Sequence, residues 1–346
     1  MFLRKNRIIQ FDVLRVVAAF AVVLLHISAQ RIYECYPSSE WDTRNLYNAL
    51  TRWCVPVFVM ISGALFLDST KEINIKTLYK KNIIRLVLVF IFWTIIYGAY
   101  AGIKEHDAAK LIGKIIRGPY HFWFLRMLVG MYICVPLLRT ITANKKLEKY
   151  FLCLSLITAF IIPMFFPLIG HFSDMARDFA ENLYEDFSIK IALGFAGYFV
   201  LGHYLMHNFV KKIPKALVVV LGIVGFVSIC LLTSLVSNLA GEPYLLLYEY
   251  INVFVLLEAF AVFIVIKDLT IAPKHHGIII RASKLSLGIY IVHPLVMKIA
   301  NDFCGINSAS LNPAYFIPLY ALLVFIVSYL LVSVLVRIPI IKKFML

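Results

Sequence analysis

The sequence predicts an all-α, polytopic integral membrane protein with about ten transmembrane helices and both termini in the cytoplasm. Three observations carry this expectation. Apolar residues make up 62% of the chain and charged residues only 15%. Many apolar runs approach or exceed the roughly 20 residues that cross a bilayer. Basic residues concentrate in alternate connecting segments. The spans use up nearly all of the 346 residues, so one membrane-embedded domain over 1–346 is expected, with no separate soluble domain.

The spans are expected at about 10–29, 46–67, 83–103, 122–138, 150–169, 190–207, 215–237, 247–267, 284–301 and 315–337. One set of segments holds both termini and every second loop. It carries Arg4, Lys5 and Arg7, then Lys76, Lys80, Lys81 and Arg85, then Arg139, Lys145 and Lys146, and further clusters around Lys211, Arg281 and Lys342. The opposite set has fewer than half as many basic residues and holds the acidic stretch Asp174 to Asp186. The positive-inside rule therefore places the basic set in the cytoplasm. The net charge of +15 reads as a topology signal and an attraction to anionic membrane lipids. Its scatter over short segments excludes nucleic acid as a partner.

The first span reads F-D-V-L-R-V-V-A-A-F-A-V-V-L-L-H. It lacks the small-residue cleavage site of a signal peptide and contains Arg15 and His26, so it is expected to be retained. At 100° per residue, their separation returns the two side chains to within roughly 20° of each other, roughly 16 Å apart along the axis. Taken singly, Arg15 reads as a snorkelling cation and His26 as an interhelical hydrogen-bonding residue. As a pair on one stripe they describe a path across the bilayer that suggests chemistry. Asp12, one turn before Arg15, pairs with it and lowers the cost of burying it.

The second span begins at Arg52, at about the level of His26, and contains Pro56, Ser62 and Gly63. Arg52 reads either as an interface anchor or as a site residue. Pro56 frees a carbonyl, and Ser62–Gly63 permits close helix contact. Between the third and fourth spans, segment 104–121 places Leu111, Ile112, Ile115 and Ile116 opposite Lys110, Lys114 and Arg117, the pattern of an interfacial helix.

The fourth span is the least hydrophobic. It puts Arg126 near the depth of His26, either to stabilise an oxyanion or to pair with Glu258. Tyr132 follows on the same span, while His121 and Trp123 look interfacial. The sixth span is short and carries Gly194, Gly197 and Gly202; like the fourth, it suits a tilted, broken or re-entrant segment. In the eighth, Glu258 lies near mid-depth as a protonated structural residue or a counter-charge. In the ninth, L-S-L-G-I-Y-I-V-H-P places His293 near mid-membrane with Tyr290 one turn before it. His293 either lines a ligand channel or bonds a neighbouring helix. The six cysteines form no C-x-x-C pair and suggest neither a metal site nor a disulfide framework.

Four motifs occur in order. They are F-D-x-L-R with R-x10-H; V-P-V-F-V-M-I-S-G-A-L-F-L; H-F-W-F-L followed by Y-x3-P (Tyr132, Pro136); and S-L-G-I-Y-I-V-H-P. In these the chain resembles the membrane-bound acyltransferase family 3 across most of its length. Length and spacing are most similar to the stand-alone surface-glycan O-acetyltransferases, of the type acting on enterobacterial common antigen. The resemblance implies a multi-pass protein of the bacterial cytoplasmic membrane. It implies transfer of an acyl group, usually acetyl, from cytoplasmic acyl-CoA to a hydroxyl of an extracytoplasmic or lipid-linked sugar. Acetyl-CoA is then a donor substrate, and no metal is expected. The resemblance places His26 at the catalytic centre with Arg15 in support.

The residue reading is compatible with that chemistry. Arg15 and nearby basic loops would receive the phosphates, and the pantetheine arm would thread toward His26. His26 would act as general base or as an acyl-accepting nucleophile, and both routes stay open. Arg126 is the candidate for oxyanion stabilisation. Asp12, Arg52, Tyr132, Glu258, Tyr290 and His293 are candidate supporting residues. A glycan-precursor transporter or flippase is the competing class, since broken helices and buried charges fit one. Against it, the sequence shows no inverted repeat.

Overall fold

A computed structural model describes residues 7–105, 113, 118–165, 175, 194–209, 213–342 and 344. The interfacial helix expected within 104–121 and the acidic stretch from Asp174 to Asp186 fall largely outside the described residues. Among the described residues, all regular structure is helical. Nine described segments are long and apolar enough to cross a membrane: Ile9–Ala29, Ser39–Phe66, Ile75–Gly102, Tyr120–Thr142, Lys145–Phe165, Lys215–Ala240, Leu246–Lys267, Pro273–Cys304 and Pro313–Leu335. The chain is an all-α multi-pass membrane protein. The sixth expected span is described only as a helix over Gly194–His203 and one wide turn over Tyr204–Asn208, which together fall short of the roughly 20 residues of a full crossing.

The principal helices are α1 (Ile9–Ala29), α2 (Ser39–Thr51), α3 (Cys54–Phe66), α4 (Ile84–Glu105), α5 (Trp123–Thr142), α6 (Lys145–Ser155), α7 (Gly194–His203), α8 (Lys215–Ala240), α9 (Val253–Lys267), α10 (Pro273–Cys304) and α11 (Pro313–Leu335). Their ends follow local chemistry. Ser38, Asn144, Asn252 and Asn312 each accept a backbone N–H from the first turn of α2, α6, α9 and α11. Gly241 and Gly305 end α8 and α10 in the left-handed conformation, which glycine adopts without steric cost.

α1 is the central helix. It packs against α2, α3, α10 and α11 and buries Leu14, Ala18, Ala21, Val22 and Leu25 among them. The second span starts earlier than its apolar run implies, because α2 is polar on its buried side. Arg44 there is fully buried. It pairs with Glu40 at 2.7 Å and donates to the carbonyls of Gln30 at 2.8 Å and Ser308 at 3.0 Å. This guanidinium fastens α2 to the end of α1 and to the loop before α11, satisfying three backbone or carboxylate acceptors at once.

α3 and α7 meet backbone to backbone. A Cβ on Gly63 would lie 1.7 Å from the Phe199 carbonyl oxygen, and one on Gly202 would lie 2.0 Å from the Met60 carbonyl oxygen. Helices in lipid gain from such closeness because packing, not water exclusion, drives their association. Gly63→Ala and Gly202→Ala are each expected to cost at least about 1–3 kcal/mol, seen as a lower thermal midpoint in detergent. Gly130→Ala, where the added methyl meets nothing within 4 Å, is the control and should leave the midpoint unchanged.

Candidate functional site

The site begins with how α1 is seated. Asp12 is buried and receives two hydrogen bonds from Arg7, at 2.6 and 2.7 Å. Ser283 on α10 donates to the same carboxylate at 2.6 Å. Arg15 contributes a weaker contact at 3.4 Å. The expected Asp12–Arg15 pair is therefore present, but Arg7 is the nearer cation. Arg15 keeps its guanidinium partly exposed and lines a cavity of about 230 Å³.

That cavity is the narrow one, so called for its small volume, and it carries three cations in its wall. Arg15 shares its wall with Lys81 and Arg85, while Phe124, Tyr132 and Tyr290 line its interior. It opens on the side where the basic residues gather. On the opposite side a second cavity, of about 740 Å³, is lined by Gln30, Tyr97, Tyr120, His121, Asn301 and Asn307 among others. Arg31, Glu34 and Lys298 line it too, so the wall combines amides and aromatic hydroxyls, which hydrogen-bond and stack on polar ligands, with two cations and a carboxylate.

His26 lies on the stretch of α1 between the two cavities without lining either. Val22, one turn before it, lines the narrow cavity, and Gln30, one turn after, lines the wide one. Its Nδ1 lies 2.7 Å from Nε2 of His293, and the two rings meet edge to edge, 14° from coplanar, with centroids 4.9 Å apart. Tyr120 and His121 stand edge-on to His26, at 5.4 and 6.3 Å between centroids. His121 and His293 are 5.9 Å apart, so three imidazoles from α1, the turn before α5, and α10 converge. The Tyr290 hydroxyl donates to the His121 carbonyl. Since Tyr290 borders one cavity and His121 the other, this pair forms the partition between them.

α10 is opened where it passes the cluster. Pro294 has no N–H to give to the Tyr290 carbonyl. One residue on, the Tyr97 hydroxyl enters the helix, donating to Ile291 O at 2.7 Å and accepting from Leu295 N–H at 3.1 Å. His121 Nε2 also faces Ile291 O, at 3.4 Å, and its Nδ1 has no hydrogen-bond partner among the described residues.

The remaining candidates separate into groups. Tyr132 joins Arg15 at the narrow cavity, and Tyr290 joins the histidines. Arg126 does not join His26. It lies on an exposed face of α5 with its guanidinium over the Phe90 ring at 5.6 Å, which removes the geometric basis for an oxyanion role. Arg52 is buried, not an interface anchor. Its guanidinium stacks on Tyr248 at 4.2 Å, donates to the Tyr248 carbonyl at 2.8 Å and bonds Asn48. It is also the cation that acts on the buried Glu258, so the alternative Arg126 pairing is replaced by an Arg52 neighbourhood. His121, read as interfacial, is 1% exposed and belongs to the cluster. Its place as the first residue of H-F-W-F-L was the available signal. Tyr97, Tyr120 and Arg85 carried none beyond aromatic and basic patterning. Among the described residues no cluster of metal-ligating side chains occurs.

A family model described as an acyltransferase domain, acyltransferase family 3, matches residues 8–333. Comparison with curated proteins and with solved structures gives no match. The matched range includes every helix of the histidine cluster and both cavities. The seating of α1 generates a stability prediction. Asp12→Ala strips Arg15 of its counter-charge and Ser283 of its acceptor, so it should cost about 3 kcal/mol or more. Arg7→Met, which removes a residue 38% exposed, should cost less. Paired thermal unfolding in one detergent gives the order; equal midpoints would show that Asp12 is not a structural hub.

Proposed function

Since the chain belongs to acyltransferase family 3, we propose that it transfers an acyl group, acetyl in the favoured case, from acyl-CoA to a sugar hydroxyl through His26. One observation carries this reading: the imidazole cluster that holds His26 stands between a small cavity with Arg15, Lys81 and Arg85 in its wall and a wide cavity whose wall mixes amides and aromatics with Arg31, Glu34 and Lys298. The narrow cavity falls below the roughly 300–1,000 Å³ of sites that enclose drug-sized ligands. That suits a thin pantetheine arm, with the phosphorylated nucleotide left at the mouth against Arg15, Lys81 and Arg85. The wide cavity suits the acceptor. By length and motif spacing, the favoured subclass is a stand-alone surface-glycan O-acetyltransferase of the bacterial cytoplasmic membrane, with the basic side facing the cytoplasm.

Two routes use the same residue. In the first, His26 removes the acceptor proton as the sugar oxygen attacks the thioester carbonyl. The tetrahedral intermediate collapses, the C–S bond breaks, and the thiolate takes the proton from the imidazolium. In the second, His26 attacks the thioester carbonyl, the C–S bond breaks and CoA leaves as the thiolate; the sugar oxygen then attacks the acyl-imidazolium, the imidazole departs neutral, and the hydroxyl proton passes to the thiolate. Both require the donor carbonyl and the acceptor hydroxyl to meet at the partition between Tyr290 and His121.

Purified protein in detergent, given acetyl-CoA, should release free CoA, and an added acceptor glycan should gain one acetyl ester. His26→Ala should lower that rate by about 100- to 10,000-fold, the range expected for a lost general base, in protein that still unfolds cooperatively, its midpoint lowered by the loss of the His293 contact. A transporter would show no CoA release at all. Arg85→Met and Arg15→Met should each raise the apparent KM for acetyl-CoA about 10-fold or more, as loss of a charge-assisted phosphate contact requires, and change kcat much less. An unchanged donor KM with a raised acceptor KM would reverse the assignment of the two cavities.

A further inference from the structure

The edge-to-edge contact between His26 and His293 carries more than proximity. His293 Nδ1 lies 3.1 Å from the Ile289 carbonyl oxygen, one turn back on its own helix. A carbonyl only accepts, so this nitrogen carries the proton. With one proton on each ring, His293 Nε2 is then a bare acceptor. The 2.7 Å contact needs a proton between the two nitrogens, and only His26 Nδ1 can supply it. His26 Nε2, across the ring, is left with its lone pair. Among the described residues no hydrogen bond engages it.

We infer that His293 is a positioning residue that holds His26 in the tautomer whose Nε2 is free to take a proton or an acyl group. The chain of polarity runs from the Ile289 carbonyl through both imidazoles to the reacting atoms. When Nε2 gains a proton from the acceptor hydroxyl, the resulting positive charge is shared toward His293 Nε2, which already accepts from Nδ1. The third member of this triad is a main-chain carbonyl, and among the described residues no carboxylate bonds either ring. The inference rests on the acyl-transfer reading for its catalytic consequence, but the tautomer itself does not.

Two substitutions separate positioning from packing. His293→Leu fills similar space without an acceptor. His293→Gln offers its Oε1 near the place of Nε2. In folded protein, His293→Leu should lower kcat about 100-fold with the KM for acetyl-CoA within about 2-fold, because the donor cavity is untouched. His293→Gln should recover at least about 10-fold of that loss, since an acceptor is restored. Placed on a His26→Ala background, His293→Leu should cause no further loss, as expected of residues that act as a unit. Near-parental activity in His293→Leu, or a His293→Gln protein no better than His293→Leu, overturns the inference. Should both variants fail to fold, nitrogen-15 spectra of histidine-labelled parent protein decide it. The His26 signals, identified by their loss in His26→Ala, should show a protonated Nδ1 and a bare Nε2; the opposite tautomer ends the proposal. That spectrum needs no turnover, so an inactive but correctly tautomeric protein would count against acyl transfer and not against this assignment.

Discussion

α1 is joined to α10 by polar contacts at two depths, Asp12 to Ser283 near one end and His26 to His293 near the other. These two contacts set the rotation of a helix that is otherwise alanine, valine and leucine. In lipid, apolar side chains gain little from choosing one neighbour over another, since the surrounding tails are equally apolar. A polar group has no such freedom; buried without a partner, it costs several kcal/mol. Turning α1 by one residue would break both contacts together. The shared orientation of Arg15 and His26 along one groove follows from this, and so does the position of His26 between the two cavities.

The partition between those cavities is built from groups that the helices leave unsatisfied. Pro294 interrupts the ladder of α10, and the Tyr97 hydroxyl is drawn into the gap. His121 turns one ring nitrogen toward the same carbonyl, and Tyr290 closes onto the His121 main chain. Each of these side chains has a structural reason to be where it is, because backbone opened inside a membrane must be capped by protein. The result is a thin polar wall with an imidazole in it. The wall is a packed ring cluster in which His26, His121 and His293 converge.

The close approach of α3 and α7 has a different basis. Gly63 and Gly202 bring two main chains together on the flank of the narrow cavity, whose wall includes Phe58, Ser62 and Phe66 of α3. Arg44 performs a comparable task at the opposite end, tying the loop of Ser308 to α2; Ser308 lines the wide cavity. Small residues on one side and a saturated guanidinium on the other thus shape the two openings, although none of them is suited to react.

The sequence by itself determined the class of fold, since only helices satisfy every main-chain group within a long apolar run. It also determined that Arg15 and His26 share a stripe, because helical periodicity within one segment needs no knowledge of partners. His293 was legible as an ionisable residue at depth, but its choice between a channel wall and a neighbouring helix was not. That choice belonged to the tertiary structure, as did the buried place of His121, the stacking of Arg52 on Tyr248 and the exposure of Arg126. The reason is common to all four. Depth along a helix is read from position in the chain, whereas the face that meets another helix depends on how rods from distant segments rotate against each other. In a bilayer that rotation is decided by a few long-range polar contacts, which leave no periodic trace in the sequence.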